Sequence, residues 1–356
     1  MRVLIIASES PPVASGVAHS VDRLARGLRH YGHEVDTLSS ADGPYLVFGE
    51  MRLSGLGGRL VGLANEIARL YDVVNVHGPV PTISDISLAL LRAIRRHDKP
   101  RVLYTHHSTL EFDAGLLASL GGAYTAAHRL LARLADHVVV TSEAYADAFG
   151  NDHDPPVSVV PWGVDVRRFQ PAVPSGYDGA RPLRVLFVGQ LRPYKGAAVA
   201  IDAVAHQPRL SLTVVGRGSQ ELSLRRRLID SGADNVRMTG YLDEEALVDA
   251  YRAHDVCVLP STNRQEAFGL VLLEGMAAGC VPVASDLPGV RDVARSNGML
   301  VTPGDVQDLR WALHALAARP EVVGQLQAGA IDTATRRSWD RTCAAYHDLA
   351  ERLARS

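Results

Sequence analysis

Two doubly wound, Rossmann-like α/β domains are what this sequence predicts, on three observations. Short apolar runs alternate with helical patterns from end to end, the pattern of parallel sheets joined by crossover helices. A Pro- and Gly-rich break, Gln170-Pro171-Ala172-Val173-Pro174-Ser175-Gly176-Tyr177-Asp178-Gly179, cuts the alternation in two. The length, 356 residues, exceeds what a single hydrophobic core usually serves. The first domain is expected over 1–172 and the second from 173 onward.

The elements follow in order. Strands are expected near 2–6, 34–38, 73–77, 101–105, 137–141 and 157–160 before the break. After it they are expected near 184–188, 210–215, 235–239, 256–259, 281–285 and 299–302. Helices fill the gaps. The first carries Val17, Val21, Leu24, Leu28 and Tyr31 on one face, and Gly32 stops it. A last helix is expected over about Trp339–Arg355.

Composition narrows the function. Hydrophobic residues make up 47% and charged residues 21%, as in an ordinary globular protein. Net charge is −2, with neither half basic, which argues against nucleic acid and against a membrane surface. No run reaches transmembrane length, and Met1-Arg2-Val3-Leu4-Ile5-Ile6-Ala7 reads as a strand rather than a leader. Cys257, Cys280 and Cys343 are scattered and odd in number, as expected for buried thiols in a cytoplasmic protein. The 14 histidines include no pair at zinc-motif spacing, so no metal site is expected. Asp152-His153-Asp154 reads as a polar turn before Pro155-Pro156.

The most informative stretch follows the strand Asp255-Val256-Cys257-Val258-Leu259-Pro260. In Ser261-Thr262-Asn263-Arg264-Gln265-Glu266-Ala267-Phe268-Gly269-Leu270-Val271-Leu272-Leu273-Glu274, seven residues separate two carboxylates. Glu266 falls in a strand-to-helix loop, and Glu274 about a turn and a half into the helix. Both can reach the crevice at the carboxyl end of a parallel sheet, where open α/β folds place ligands. N–H groups near Phe268 and Gly269, at the helix start, suit a phosphate. Two carboxylates suit vicinal hydroxyls, and a nucleotide-sugar carries both kinds of group.

This segment resembles the second-domain signature of the family-4 retaining glycosyltransferases, and the resemblance covers nearly the whole chain. It implies the GT-B architecture, two Rossmann-like domains facing a central cleft. The helix over 338–356 would cross back to complete the acceptor-side domain, leaving 173–337 to bind the donor. By the same resemblance Glu266 contacts the donor sugar, Glu274 holds the ribose hydroxyls, and the Ala267-Phe268-Gly269-Leu270 stretch meets sugar and phosphate oxygens.

Further motifs extend the resemblance. Val188-Gly189-Gln190-Leu191-Arg192-Pro193-Tyr194-Lys195-Gly196 is similar to the family's diphosphate motif, with Gln190 where an arginine is usual. Lys195 is expected on the donor phosphates, with Arg192 as the substitute cation. Of 37 basic residues only Lys99 and Lys195 are lysine, so a compact ammonium at 195 stands out. Gly216-Arg217-Gly218 looks like a dinucleotide fingerprint, but Glu221 stands where its third glycine belongs. With the resemblance, Gly216 and Arg217 are expected among the donor-binding residues. Tyr241 and Leu242 resemble the family segment that reads the nucleobase. In the first domain, Ser15-Gly16 stands where the family has two glycines, with Ser15 also suited to cap the helix. Thr105-His106-His107 fits the family's Thr-x-His, selecting His107. Adjacent histidines on a strand point oppositely, so His106 and His107 face different ways. His77 and His106 are acceptor-side candidates. Trp162 stands where the family usually has Asn, and Asp165 and Phe169 are expected to be structural.

The resemblance implies a metal-independent retaining transfer of a hexose from a nucleotide diphosphate sugar, UDP-linked, to a hydroxyl acceptor, with no other cofactor. His107, Glu266, Lys195 and Arg192 are the expected catalytic residues. A disaccharide phosphorylase and a silent sugar-nucleotide-binding module are the alternatives. A nicotinamide enzyme is disfavoured by the incomplete glycine fingerprint.

Overall fold

The computed structural model describes the chain except residues 12, 14, 40–44, 49–50, 55, 95–98, 108–115, 150–154 and 171–175. The chain forms two compact units, Met1–Trp162 with Trp339–Ser356, and Gly163–Ser338. The first runs β1 (Arg2–Ile6), α1 (Gly16–His30), β2 (Glu34–Leu38), β3 (Tyr45–Phe48), β4 (Met51–Ser54), α2 (Leu56–Leu70), β5 (Val73–Gly78), α3 (Ser84–Ala93), β6 (Arg101–His106), α4 (Leu116–Ala132), β7 (His137–Val140), α5 (Glu143–Ala146) and β8 (Val157–Val159). The second runs α6 (Val166–Phe169), β9 (Leu183–Val188), α7 (Ala197–Val204), β10 (Leu210–Val215), α8 (Glu221–Ser231), β11 (Val236–Gly240), α9 (Glu244–Arg252), β12 (Val256–Leu259), α10 (Leu270–Ala277), β13 (Val281–Ser285), α11 (Val290–Ala294), β14 (Met299–Val301), α12 (Val306–Ala317) and α13 (Pro320–Arg336). The last helix, α14 (Trp339–Arg355), belongs to the first unit.

Each unit holds a six-stranded parallel sheet with flanking helices. The first has the order β2-β1-β5-β6-β7-β8, and the second β11-β10-β9-β12-β13-β14. All twelve strands expected from the sequence are present. The inner strands are buried because helices cover parallel sheets; Val256, Cys257, Val258 and Leu259 of β12 are all inaccessible. Val74, Val76, Val102, Tyr104 and Val138 centre the first core, and Val185, Phe187, Val258, Ile201 and Leu313 the second. Cys257, Cys280 and Cys343 are all buried and free.

Two features differ from the expectation. An antiparallel hairpin, β3 with β4, interrupts the strand-helix alternation. Its sequence signal is a glycine, Gly49, standing between two four-residue runs. The first unit also ends at Trp162, ten residues before the expected boundary at 172. Residues 163–170 go with the second unit because their contacts lie there. Val164 bridges to Ser338, and Phe169 packs edge-on against Tyr251 with ring centroids 5.6 Å apart. Asp165 caps α6 through the Arg168 N–H, so both residues are structural, as the sequence indicated. Of the Pro/Gly-rich break, 171–175 lie outside the described residues, as does the Asp152-His153-Asp154 turn.

Candidate active site

The strand order of the second sheet reverses between β9 and β12, the switch point at which open α/β sheets leave a crevice. The loops leaving the carboxyl ends of these two neighbours carry two of the residues marked in the sequence. Lys195 follows β9, Glu266 follows β12, and their side chains form an ion pair. Both groups are largely buried. Burial pulls the Lys195 ammonium toward losing its proton, but the Glu266 carboxylate outweighs it and holds the pKa above the ordinary lysine value. Arg192 is close enough to push the other way, so the two cations share one neighbourhood.

Backbone packing fixes Lys195 in place. Gly196 has φ 76°, and a Cβ there would lie 1.8 Å from the Pro260 carbonyl oxygen. Only glycine permits that approach. The Thr262 N–H donates to the Tyr194 carbonyl at 2.8 Å, tying the two loops together again. Gly189 and Gly216 serve the same end. A Cβ on Gly216, at φ 136°, would lie 1.9 Å from the Gly189 carbonyl. Leu191 N–H donates to the Arg217 carbonyl at 2.8 Å, so the loops after β9 and β10 are knit by backbone.

Gly269, at φ 83°, is the N-cap of α10 and has no side chain to cap it, which suits a ligand oxygen at that end. Phe268 beside it is buried, while Ala267 and Leu270 are half-buried. Glu274 lies on α10 and accepts a 2.8 Å hydrogen bond from the Tyr251 hydroxyl. Burial raises the Tyr251 pKa well above that of an ordinary phenol, so the group stays a donor. Tyr251 orients Glu274, and sequence reading missed it because nothing in the α9 pattern marks this tyrosine from a core one. At the end of β11 Tyr241 is 62% exposed and Leu242 half-buried. Arg217 is exposed, with Nε 3.9 Å from where a Cβ on Gly240 would stand. Glu266, Lys195, Glu274, Gly269, Arg217 and Tyr241 thus all stand on elements at one edge of the second sheet.

In the first unit the histidines divide between the two faces of the sheet. Asn75, His77, Thr105 and His107 fall on one face, since β5 and β6 pair His77 with Thr105. His77 Nδ1 lies 2.9 Å from His107 Nε2, and Asn75 Nδ2 lies 3.0 Å from His77 Nε2. Burial pushes the His107 pKa down to about 4, and that of His77 well below the ordinary value. Trp162 stacks against His77 and His107, and lies parallel to Tyr346 of α14 with centroids 5.9 Å apart.

His77 was expected to line an acceptor surface. It is fully buried and touches His107 instead, because the indole and the neighbouring strand cover it. His106 was expected on the acceptor side too. It turns to the opposite face and packs edge-on against Tyr145 and Phe149, bonded to the Tyr104 hydroxyl at 3.3 Å. That hydroxyl meets His128 at 2.6 Å, and His128 meets Asp85 at 2.5 Å, so a buried polar chain satisfies His106. Ser15 caps α1, its Oγ accepting from Ala18 N–H at 3.1 Å, and Gly16 starts the helix exposed. Among the described residues one group, His33, His347 and Glu351, brings three metal-capable atoms within 4.8 Å. Here His33 bonds His347 at 2.8 Å and Glu351 pairs with Arg355.

Known proteins share this architecture. Sucrose-phosphate synthase from Thermosynechococcus elongatus superimposes with a TM-score of 0.78 at 20% identity, over 99% of this chain and 98% of its own. HepE from Anabaena, solved with UDP-glucose, gives 0.73 at 20% identity over the full length of both. The fold is GT-B. The description "Glycosyltransferase Family 4" matches residues 14–168, and "Glycosyl transferases group 1" matches 179–332. The phosphatidyl-myo-inositol mannosyltransferase of Mycolicibacterium smegmatis is 30% identical over 95% of this chain and 89% of its own. A D-inositol 3-phosphate glycosyltransferase of Streptomyces bingchenggensis is 33% identical over 60% of this chain and 52% of its own. The chain belongs to the family-4 glycosyltransferases.

Proposed function

We propose that this glycosyltransferase moves a hexose, with retained configuration and without a metal ion, from a UDP-linked donor to a hydroxyl of an inositol-bearing acceptor. The observation that carries the donor half is the Lys195–Glu266 pair at the switch point of the second sheet, beside the open N-terminus of α10 and near Glu274 on the same helix. The acceptor half is supported by relatives whose names specify inositol acceptors.

The chemistry divides among these groups. Lys195, kept protonated by Glu266, and Arg192 take the charge that grows on the leaving diphosphate, together with the α10 N–H groups. Diphosphate oxygens arriving at Lys195 free Glu266 to accept hydrogen bonds from sugar hydroxyls. Glu274, steadied by Tyr251, accepts from the ribose. The acceptor attacks from the face the diphosphate leaves, and the diphosphate takes its proton. The first unit serves the acceptor and the second the donor, with α14 completing the first.

The test is a thermal-shift panel of nucleotide-sugars, since a true donor stabilises the fold by mass action. UDP-hexoses should raise the melting temperature. With inositol or its phosphate as acceptor, proton NMR of the product should show the donor's own anomeric configuration. Turnover should survive a chelator. Stabilisation by no nucleotide-sugar, or inversion at the anomeric carbon, overturns the reading.

A further inference from the structure

The face of the first sheet that carries His107 holds an unbroken line of hydrogen bonds, and its direction can be worked out atom by atom. Thr105 Oγ donates its one proton to Asn75 Oδ1 at 2.9 Å. Tyr346, whose hydroxyl lies 3.1 Å from the same Thr105 oxygen, must therefore be the donor in that pair. With its oxygen occupied by Thr105, the Asn75 amide turns its NH2 toward His77 Nε2 at 3.0 Å. An amide nitrogen can only donate, so His77 Nε2 holds a lone pair, and the proton of the neutral ring stands on Nδ1. That Nδ1–H faces His107 Nε2 at 2.9 Å and donates to it. His107 Nε2 is thus an acceptor, and the remaining proton of its neutral ring stands on Nδ1.

Both rings are neutral at physiological pH, since burial pushes the His107 pKa down to about 4 and that of His77 well below the usual imidazole value. Trp162 stacks on both, and Tyr346 stacks on Trp162, so the ring planes are fixed as well as their protons. His107 Nδ1 has no partner among the described residues, and His107 keeps 9% of its surface while His77 keeps none.

We propose that Asn75 and His77 are positioning residues that lock His107 in the Nδ1–H tautomer, so that it offers substrate a hydrogen-bond donor and not a base. The chemical consequence is specific. A histidine with its lone pair covered by His77 cannot take a proton from the acceptor hydroxyl. It can only donate to a substrate oxygen. Proton removal is thereby left to the donor diphosphate. This role for His107 rests on the glycosyl-transfer reading above, but the tautomer itself does not. An aspartate at position 75 is nearly isosteric yet only accepts. It would draw the His77 proton to Nε2, leave a lone pair on Nδ1, and so pull the His107 proton to Nε2.

The experiment is nitrogen NMR of ring-labelled histidine in the unliganded full chain, with the His107 signals assigned by their loss in His107→Gln. The wild type should show His107 protonated at Nδ1 and His77 likewise. Asn75→Asp should reverse both tautomers. Its kcat with the accepted donor should fall on the order of tenfold or more, the size of a lost donor in a buried site, while KM for the nucleotide-sugar changes little. Thr105→Val, which removes the proton that orients the amide, should give a mixture of the two tautomers, and serves if Asn75→Asp fails to fold. His107 protonated at Nε2 in the wild type overturns the proposal, as does an unchanged tautomer in a folded Asn75→Asp. Reversed tautomers with unchanged kcat overturn the donor role alone. Correct tautomers with no glycosyl transfer leave the lock standing and overturn only the functional reading.

Discussion

Lys195 shows how one side chain is decided by its partner. Removing one member of a buried ion pair leaves the other charge uncompensated. Lys195→Ala should therefore lower both turnover and stability. The turnover loss should be about a hundredfold, since a preorganised cation aimed at a leaving group contributes on the order of 3 kcal/mol. Arg192→Ala should be milder, and Lys195→Arg should rescue poorly, because a planar fork does not replace a compact ammonium beside Glu266. Steady-state kinetics with the accepted donor, alongside melting curves, measures this; near-normal turnover for a folded Lys195→Ala removes the residue from the diphosphate site. Glu274 makes a separate point. Glu274→Ala should weaken free UDP binding about tenfold or more, the size of a charged hydrogen bond of roughly 1.5–3 kcal/mol. Tyr251→Phe should weaken it less, because the carboxylate remains and loses only its orientation. Calorimetric titration separates the two, and equal affinity for all three proteins would remove Glu274 from the ribose site.

At the scale of elements, glycines set how closely segments meet. Gly196 lets the turn after β9 seat on Pro260 beyond β12, the contact that brings Lys195 to Glu266. In Gly196→Ala the new methyl meets backbone, at a φ that side chains avoid. Strain of this kind is on the order of 1–3 kcal/mol. The variant should melt lower and lose turnover together, as Lys195 shifts. Full turnover in Gly196→Ala would show that the loop can relax without moving the lysine. The last helix depends on a similar approach. A Cβ on Gly27 of α1 would lie 2.1 Å from Cys343 Sγ of α14. Gly27→Val should destabilise the first unit by about 1–3 kcal/mol through overpacking, read as a lower denaturant midpoint.

For the molecule as a whole, the buried histidines couple stability to acidity. His106 is pushed down to about 3 and His107 to about 4, and His77 well below its usual value, each chiefly by burial. The unfolded chain binds these protons near pH 6.5, while the folded chain refuses them until the lower values are reached. Their contribution is therefore complete above about pH 6.5 and lost as pH falls, down to about 4 for His107 and about 3 for His106. Each added proton steepens the loss by about 1.4 kcal/mol per pH unit. Denaturant melts across this range should show stability falling with acidity. A His106→Gln variant should show a shallower fall, and equal slopes would mean that His106 takes up its proton without unfolding.

Strand order in sequence and the spacing of the carboxylates at 266 and 274 were legible because they rest on local patterns. Apolar runs of strand length, turn residues and fixed spacings survive without knowledge of what lies opposite. The β3–β4 hairpin escaped because two four-residue runs carry too little pattern beside the stronger strand-helix alternation. The partners of the candidate residues escaped for another reason. Lys195 meets Glu266 across 71 residues and Thr105 meets Tyr346 across 241, separations that no local pattern reports. Two adjacent histidines, identical as letters, took different partners, Tyr104 for His106 and His77 for His107, because a strand turns successive side chains to opposite faces. The sequence by itself determined the fold class and the family, since these follow from periodicity and short motifs. Only the tertiary structure decided which groups are buried, which are paired, and hence which way their proton affinities shift. Those depend on burial and on neighbours that the chain brings together only once it has folded.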